Sequence, residues 1–308
     1  MSEIIIFGHK NPDTDAIGSA IAYSYLQNKL GLQTKAVALG EAGDETKYAL
    51  DHFGLQHPEI VERLENPGDP VMLVDHNEFQ QSIDGIEDAE ILSVVDHHRI
   101  ANFETSNPLN FRAEPLGSTC SIVYKLFKEN QIDISQDIGG IMLSAIISDS
   151  LLFKSPTCTP TDAEIAKDLA EIAQVDLNTY GLDMLRAGTN VDKFTEEEIL
   201  EGDAKTFEMG ESTVRIGQVN VVDIQDVLKR KETLIHEMEK LSTANNYGLY
   251  LLVITDILES NSQGLVVGSQ LEAVEEAFAT GIENHEIALE GVVSRKKQVV
   301  PPLTEALS

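Results

Sequence analysis

Three short apolar runs in this chain each end in aspartate and histidine, and that recurrence constrains the fold more than any other feature. Ile4-Ile5-Ile6-Phe7 leads into Gly8-His9-Lys10-Asn11-Pro12-Asp13-Thr14-Asp15. Val71-Met72-Leu73-Val74 leads into Asp75-His76-Asn77, and Ile91-Leu92-Ser93-Val94-Val95 into Asp96-His97-His98. Short runs of this composition read as buried strands of a parallel sheet. In such sheets ligands bind beyond the carboxyl ends of the strands. Three strands delivering carboxylates and imidazoles to one edge would build a cluster of metal ligands. The chemistry this implies is metal-assisted hydrolysis.

The segments between these runs support the same architecture. Helical stretches are expected at Ala16–Leu30 and Glu45–Phe53, with a strand at Thr34–Leu39 between them. Gly117-Ser118-Thr119 opens a helix that runs through Lys128. Asp137–Ser148 is apolar throughout and leads to Asp149, and its pattern fits helix and strand equally. Thr161-Asp162 is expected to cap a helix over Ala163–Ala173, followed by a second helix over Leu177–Leu185. Alternating strands and helices imply the α/β class, with a doubly wound, mostly parallel sheet in the first domain.

A polar stretch without periodicity, Ala187 to Asp192, marks the boundary. The expected domains are 1–188 and 194–308, joined by a linker over 189–193. Thr195-Glu196-Glu197-Glu198 fits a capping box at the start of the next helix. Beyond it a smaller mixed α/β domain is expected. Its strands lie near Ser212–Val221, Tyr247–Ile257 and Leu265–Gly268, and its helices over Ile224–Leu241 and Leu271–Ala279.

The ligand types narrow the metal. His9, Asp13 and Asp15 form H-x-x-x-D-x-D on one loop, where Gly8 permits a tight turn and Pro12 stiffens the backbone. Asp13 or Asp15 could equally serve as the cap of the following helix. Imidazoles and carboxylates without thiolates suit Mn²⁺ or Co²⁺, with Zn²⁺ as the alternative. The supply of carboxylates, from Asp13, Asp15, Asp75 and Asp149, suggests two ions. A pair about 3.5–4 Å apart would hold a bridging hydroxide for in-line attack. Asp75, on a strand expected near the middle, is the candidate bridge.

Charge supplies the second half of the argument. The 22 Lys and Arg are outnumbered by 52 Asp and Glu, a formal net charge of −30. Such a surface repels nucleic acid and offers it no basic stripe. An enzyme of this charge acting on a phosphate anion needs a local patch of opposite sign. From Leu241 to Ser294 there is no Lys or Arg across 54 residues, and then Arg295-Lys296-Lys297 follow in a row. Read alone that concentration could be a solvated basic turn, but beside a metal site it reads as a phosphate clamp, with Lys205, in isolation an ordinary surface lysine, a further candidate. The two cysteines, Cys120 and Cys158, have no metal-type spacing. Neither a signal peptide nor a membrane span is evident, so the expected location is cytoplasmic.

Taken together, H-K-N-P-D-T-D near the start, V-D-H-N at Val74–Asn77, V-D-H-H at Val95–His98 and S-R-K-K-Q at Ser294–Gln298 resemble the family II inorganic pyrophosphatases of bacteria. These belong to the DHH phosphoesterase superfamily, and the second half of the chain resembles its accessory DHHA2 domain. The resemblance implies that His9 and Asp13 bind one metal and that Asp15, His97 and Asp149 bind the other, with Asp75 bridging. It implies that His98, Lys205, Arg295 and Lys296 contact pyrophosphate. It further implies two Mn²⁺ per subunit (or Co²⁺), Mg²⁺ brought in with the substrate, and a homodimer; closure of the second domain over the first is expected about the linker near Thr189–Asp192. The competing expectations are a short-chain exopolyphosphatase, a nuclease of small nucleotides, and a sensor without catalysis.

Overall fold

The computed structural model describes residues 3–308. The chain divides into two compact units, one ending at Gly188 and the other running from Thr189 to Ser308.

In the first unit, β1 (Ile4–Phe7), α1 (Thr14–Lys29), β2 (Thr34–Ala38), α2 (Asp44–His52), β3 (Glu59–Ile60), β4 (Pro70–Val74), β5 (Glu90–Asp96) and β6 (Asn110–Ala113) come first. Four helices follow: α3 (Thr119–Asn130), α4 (Gln136–Ser150), α5 (Pro160–Ala173) and α6 (Leu177–Gly188). The strands form one six-stranded sheet in the order β3-β2-β1-β4-β5-β6, every pair parallel. This is the doubly wound sheet expected from the alternation. Phe7, Val37, Val71, Leu73, Ile91 and Val94 share a buried cluster with Ile83 and Ile86 from the connection after β4.

α4 settles the segment whose pattern fitted two structures. It is helical from Gln136 to Ser150, and Ile138 through Ile147 are all buried. A helix covered on every side is apolar on every side, so it shows no 3.6-residue stripe. Glycines let the neighbours close on it: a Cβ on Gly18 of α1 would lie 3.2 Å from the Ile141 carbonyl oxygen. Gly8 is subject to a sharper constraint, because a Cβ there would sit 2.6 Å from the Ala16 Cα. The loop after β1 can therefore fold back on α1 only with glycine at that position.

The second unit contains α7 (Glu196–Glu201), β7 (Ala204–Met209), β8 (Ser212–Val221), α8 (Gln225–Leu228), α9 (Lys231–Asn245), β9 (Leu249–Asp256), β10 (Asn261–Gly268), α10 (Leu271–Phe278), β11 (Glu286–Leu289) and α11 (Val300–Ala306). Its five-stranded sheet has the order β11-β10-β9-β8-β7, with β8 and β9 parallel and the other pairs antiparallel. Along the central β9, Tyr250, Leu252 and Ile254 enter one core while Leu249, Leu251 and Val253 enter the other. The strand is apolar from Leu249 to Ile254 because both faces are covered.

Two expectations about helices need correction. The helix expected over Ile224–Leu241 is two helices, α8 and α9, broken at Lys229-Arg230. Arg230 turns its guanidinium onto the carbonyls of Val191 and Phe194 and onto Glu196, which anchors the start of this unit. The cap expected at Thr161-Asp162 is at Thr159, whose hydroxyl accepts from the Asp162 amide while Asp162 accepts from the Thr159 amide. Pro160 at the first helical position sets that start. The capping box of Thr195 and Glu198 is present at the start of α7.

Candidate metal centre

The ends of β1, β4 and β5 lie side by side because these strands are neighbours in the sheet. His9, Asp13 and Asp75 form one group of potential ligand atoms within 4.8 Å of one another, and Asp15, His97 and Asp149 form another. Asp75 also groups with His97 and His98. All six candidate ligands named from the sequence are therefore brought together.

Asp75 is fully buried and divides its two oxygens between the groups. Oδ2 lies 3.4 Å from His9 Nε2, and Oδ1 lies 3.3 Å from His97 Nε2. Its backbone has φ +57, a left-handed conformation unusual for a residue with a side chain. Asp13 caps the helix and also stands beside His9. Oδ1 caps α1 through the Ala16 amide at 2.9 Å, and Oδ2 is 3.5 Å from His9 Nε2.

The two histidines are oriented alike. His9 Nδ1 donates to the Lys10 carbonyl at 2.9 Å, and His97 Nδ1 donates to the Leu116 carbonyl at 3.0 Å. Each ring thus turns Nε2 toward the carboxylates, an arrangement that fixes the tautomer of a metal-binding histidine. His76, also at a strand end, is different. It is buried between the Val74 carbonyl and the Ser82 hydroxyl and belongs to neither group. His98 is half-exposed, and its Nδ1 lies 3.0 Å from Asp96 Oδ1.

Asp149 comes from the end of α4 rather than from a strand. Its Oδ2 is buried and has no hydrogen-bond partner, 4.0 Å from His97 Nε2. Directly after α4, Leu151, Leu152 and Phe153 all have positive φ, a left-handed turn built from three residues with side chains. Each costs about 1–2 kcal/mol relative to the right-handed form, and hydrogen bonds from Leu151, Leu152 and Phe153 to Ser148, Ile147 and Ser150 close the turn onto the end of α4.

The electrostatics test whether cations fit. Burial pushes the Asp15 carboxyl up to about 7, and the neighbouring Asp75 charge adds to that. Burial likewise raises Asp149 well above the carboxylate range, again with the charges of Asp15 and Asp75. Burial disfavours charge on His9 and His97, yet the surrounding carboxylates overcome it and hold their pKa values up, to about 11 and about 9. For Asp75, the two histidines outweigh burial and keep its pKa below the usual range. Without an ion, protons on His9 and His97 supply the positive charge among these carboxylates, a divalent cation at their Nε2 atoms would displace those protons, and one carboxylate oxygen, Asp149 Oδ2, is left unpartnered. A buried negative cluster needs positive charge inside it. Divalent cations fit these donors in number, type and position.

In the second unit, Arg295 begins a π-helical turn, Arg295–Val299, that leads into α11. Its side chain is only 10% exposed. Nη2 donates to Asp203 Oδ1 at 2.7 Å, and Nη1 donates to the Asp203 carbonyl. Nη1 also lies 3.4 Å from the carbonyl of Ile216, the register partner of Lys205 on β7. Arg295 and the start of β7 therefore share one corner. Lys205 and Lys296 are exposed, and among the described residues neither has an ion-pair partner.

Sequence reasoning missed the groups that hold these ligands. Asp15 accepts from the Ser118 hydroxyl (2.8 Å), the Thr119 amide (2.6 Å) and the Cys120 amide (3.0 Å), all at the start of α3. Ser118-Thr119 was legible as a helix start, but nothing local indicates a partner 103 residues away.

Comparison with known proteins identifies the family. The model of the DHH family N-terminal domain matches residues 3–146, and that of the DHHA2 domain matches 182–306. A manganese-dependent inorganic pyrophosphatase of Bacillus subtilis is 55% identical over 308 residues, covering the whole of both chains. The chain belongs to the manganese-dependent inorganic pyrophosphatase family. A crystal structure from Methanococcus jannaschii, described as a family II inorganic pyrophosphatase, is 39% identical over 99% of each chain, with a TM-score of 0.62. An exopolyphosphatase-related protein from Bacteroides fragilis shares the fold at 16% identity and a TM-score of 0.53, covering 99% of this chain and 91% of its own.

Proposed function

We propose that this chain is a hydrolase that splits inorganic pyrophosphate into two orthophosphates at a centre of two Mn²⁺ ions. The full-length 55% identity to a manganese-dependent inorganic pyrophosphatase supports the activity. The observation that carries the two-ion reading is the sharing of Asp75, one oxygen toward each ligand group. In this reading His9 and Asp13 hold one ion, Asp15, His97 and Asp149 hold the other, and Asp75 bridges them. The pair of ions, when bound, lowers the pKa of a shared water and neutralises charge on the phosphoryl oxygens.

The protein's own groups then orient the substrate. Arg295, whose Nη1 and Nη2 both donate to Asp203, would bind phosphate oxygens by turning its planar fork from that partner, and Lys205 and Lys296 add mobile charges. His98, held by Asp96, donates a hydrogen bond to the phosphoryl group. In this assignment residues 1–188 form the metal-binding catalytic domain and 194–308 the substrate-binding domain, with 189–193 as linker. Mg²⁺ enters with the substrate, Co²⁺ can replace Mn²⁺, and the chain works as a cytoplasmic homodimer. No helix among the described residues is long and apolar enough to cross a membrane.

The deciding experiment compares phosphate release from pyrophosphate, tripolyphosphate and a linear dinucleotide, each with Mn²⁺. Rapid release from pyrophosphate alone is the expected result. Preference for tripolyphosphate would make the chain an exopolyphosphatase, cleavage of the dinucleotide a nuclease, and inertness toward all three would leave only a binding protein.

A further inference from the structure

The start of α3 is tied to the candidate metal centre by hydrogen bonds that no step of the proposed hydrolysis uses. Thr119 is completely buried, and its Oγ1 donates to Asp75 Oδ1 at 3.0 Å. Its backbone amide, with those of Cys120 and the hydroxyl of Ser118, is occupied by Asp15. One turn of one helix therefore orients both the carboxylate shared by the two groups and a carboxylate of the second group.

That turn is itself braced. Asp162, on α5, is completely buried and accepts from the Gly117 amide (2.8 Å) and the Ser121 hydroxyl (2.6 Å), on either side of Thr119. It also closes the capping box of its own helix through Thr159. A Cβ on Gly117 would lie 2.9 Å from Asp162 Oδ2, so only glycine lets the strap approach so closely. A buried carboxylate with this many donors is locked in one rotamer.

We infer that Thr119 is a positioning residue for the two-metal centre, fixing which oxygen of Asp75 faces each ligand group, and that Asp162 braces it. The inference rests on the proposed two-ion reading. Asp75 Oδ1 receives the Thr119 hydroxyl on the side facing His97 and His98, which leaves Oδ2 for His9. Without that hydroxyl the carboxylate can rotate about its terminal bond, whose torsional preference is broad. The ion shared between Asp75 and His97 then loses a pre-aligned ligand. Outer partners of this kind change metal affinity by about 10–100-fold.

The test titrates Mn²⁺ into metal-free protein by calorimetry, with Mn²⁺ paramagnetic resonance to report coupling between neighbouring ions. Thr119→Val keeps the shape and removes the hydroxyl, and Thr119→Ser restores it. The Val variant is expected to bind one of two ions about 10–100-fold more weakly and to lose the spin-coupled signal, while the Ser variant recovers both. Asp162→Asn should move the same readouts in the same direction by less. A Val variant within threefold of the parent protein, or a Ser variant as weak as Val, would overturn the inference and leave the two-ion reading intact. A parent protein that takes up no pair of ions would remove both. Circular dichroism of the metal-free variants separates a folding defect from a binding one, and an unfolded Val variant beside a normal Ser variant would also count against the positioning role.

Discussion

Asp75→Ala abolishes pyrophosphate hydrolysis and strips the protein of bound manganese. The side chain is fully buried, and each of its oxygens faces a different histidine. Removing it takes a ligand from both ion positions at once and leaves two imidazoles without their shared anion. A loss of about 10³-fold or more in kcat is expected, on the scale of deleting a preorganised group that stabilises developing charge. Asp75→Asn separates charge from shape, since asparagine tolerates the left-handed backbone at this position while alanine adds strain. Phosphate release and metal content of the purified variants check the prediction. An Asp75→Ala protein that keeps two Mn²⁺ would show that the carboxylate is not a bridge.

Arg295→Ala gives the complementary result, with full metal content, a raised KM and a fall in kcat of about 10³-fold or more. Its guanidinium is held by Asp203, so the substitution also exposes a carboxylate that had been neutralised. Asp203 is 62% exposed, so losing this pair alters stability by at most about 1 kcal/mol. Its effect on a polyanionic substrate is larger, because an unpaired carboxylate beside the phosphate adds repulsion. Comparing Arg295→Ala with the Arg295→Ala/Asp203→Ala double variant divides the loss into missing fork and added repulsion. Arg295→Lys recovers part of the rate, since it restores charge without the bidentate geometry. Steady-state kinetics on metal-loaded protein make the measurement, and loss of manganese from Arg295→Ala would refute the division of roles.

Much of the candidate centre was legible because its residues lie at the ends of strands whose composition is unambiguous. β1, β4 and β5 are buried, apolar and short, and side chains just past such strands share one edge of the sheet. The elements that escaped detection are those with weak local signals. β3 has two residues, β6 is a part-exposed edge of Asn-Phe-Arg-Ala, and β7 and β11 are edge strands with mixed patterns. α4 escaped for the opposite reason, since complete burial erased its stripe. The groups that orient the ligands were invisible because their partners are remote in the chain. Thr119 meets Asp75 across 44 residues, Gly117 meets Asp162 across 45, and Arg295 meets Asp203 across 92. A sequence shows which residues could bind an ion more readily than it shows what holds them still.

The strand order β3-β2-β1-β4-β5-β6 also determines when the centre comes into being. Ile5 pairs with Val71, so the first ligand loop meets Asp75 only after a long parallel crossover has closed, and His97 and Asp149 arrive from still further along. Closing such loops is entropically costly and slow. In zinc fingers, by contrast, metal capture and folding are a single event. Here manganese is therefore expected to bind only after the sheet has assembled, past the folding transition state, so it should leave the refolding arm of a chevron unchanged and slow the unfolding arm. Stopped-flow refolding with and without Mn²⁺ would reveal a faster refolding arm if the ion instead organised the chain from the outset.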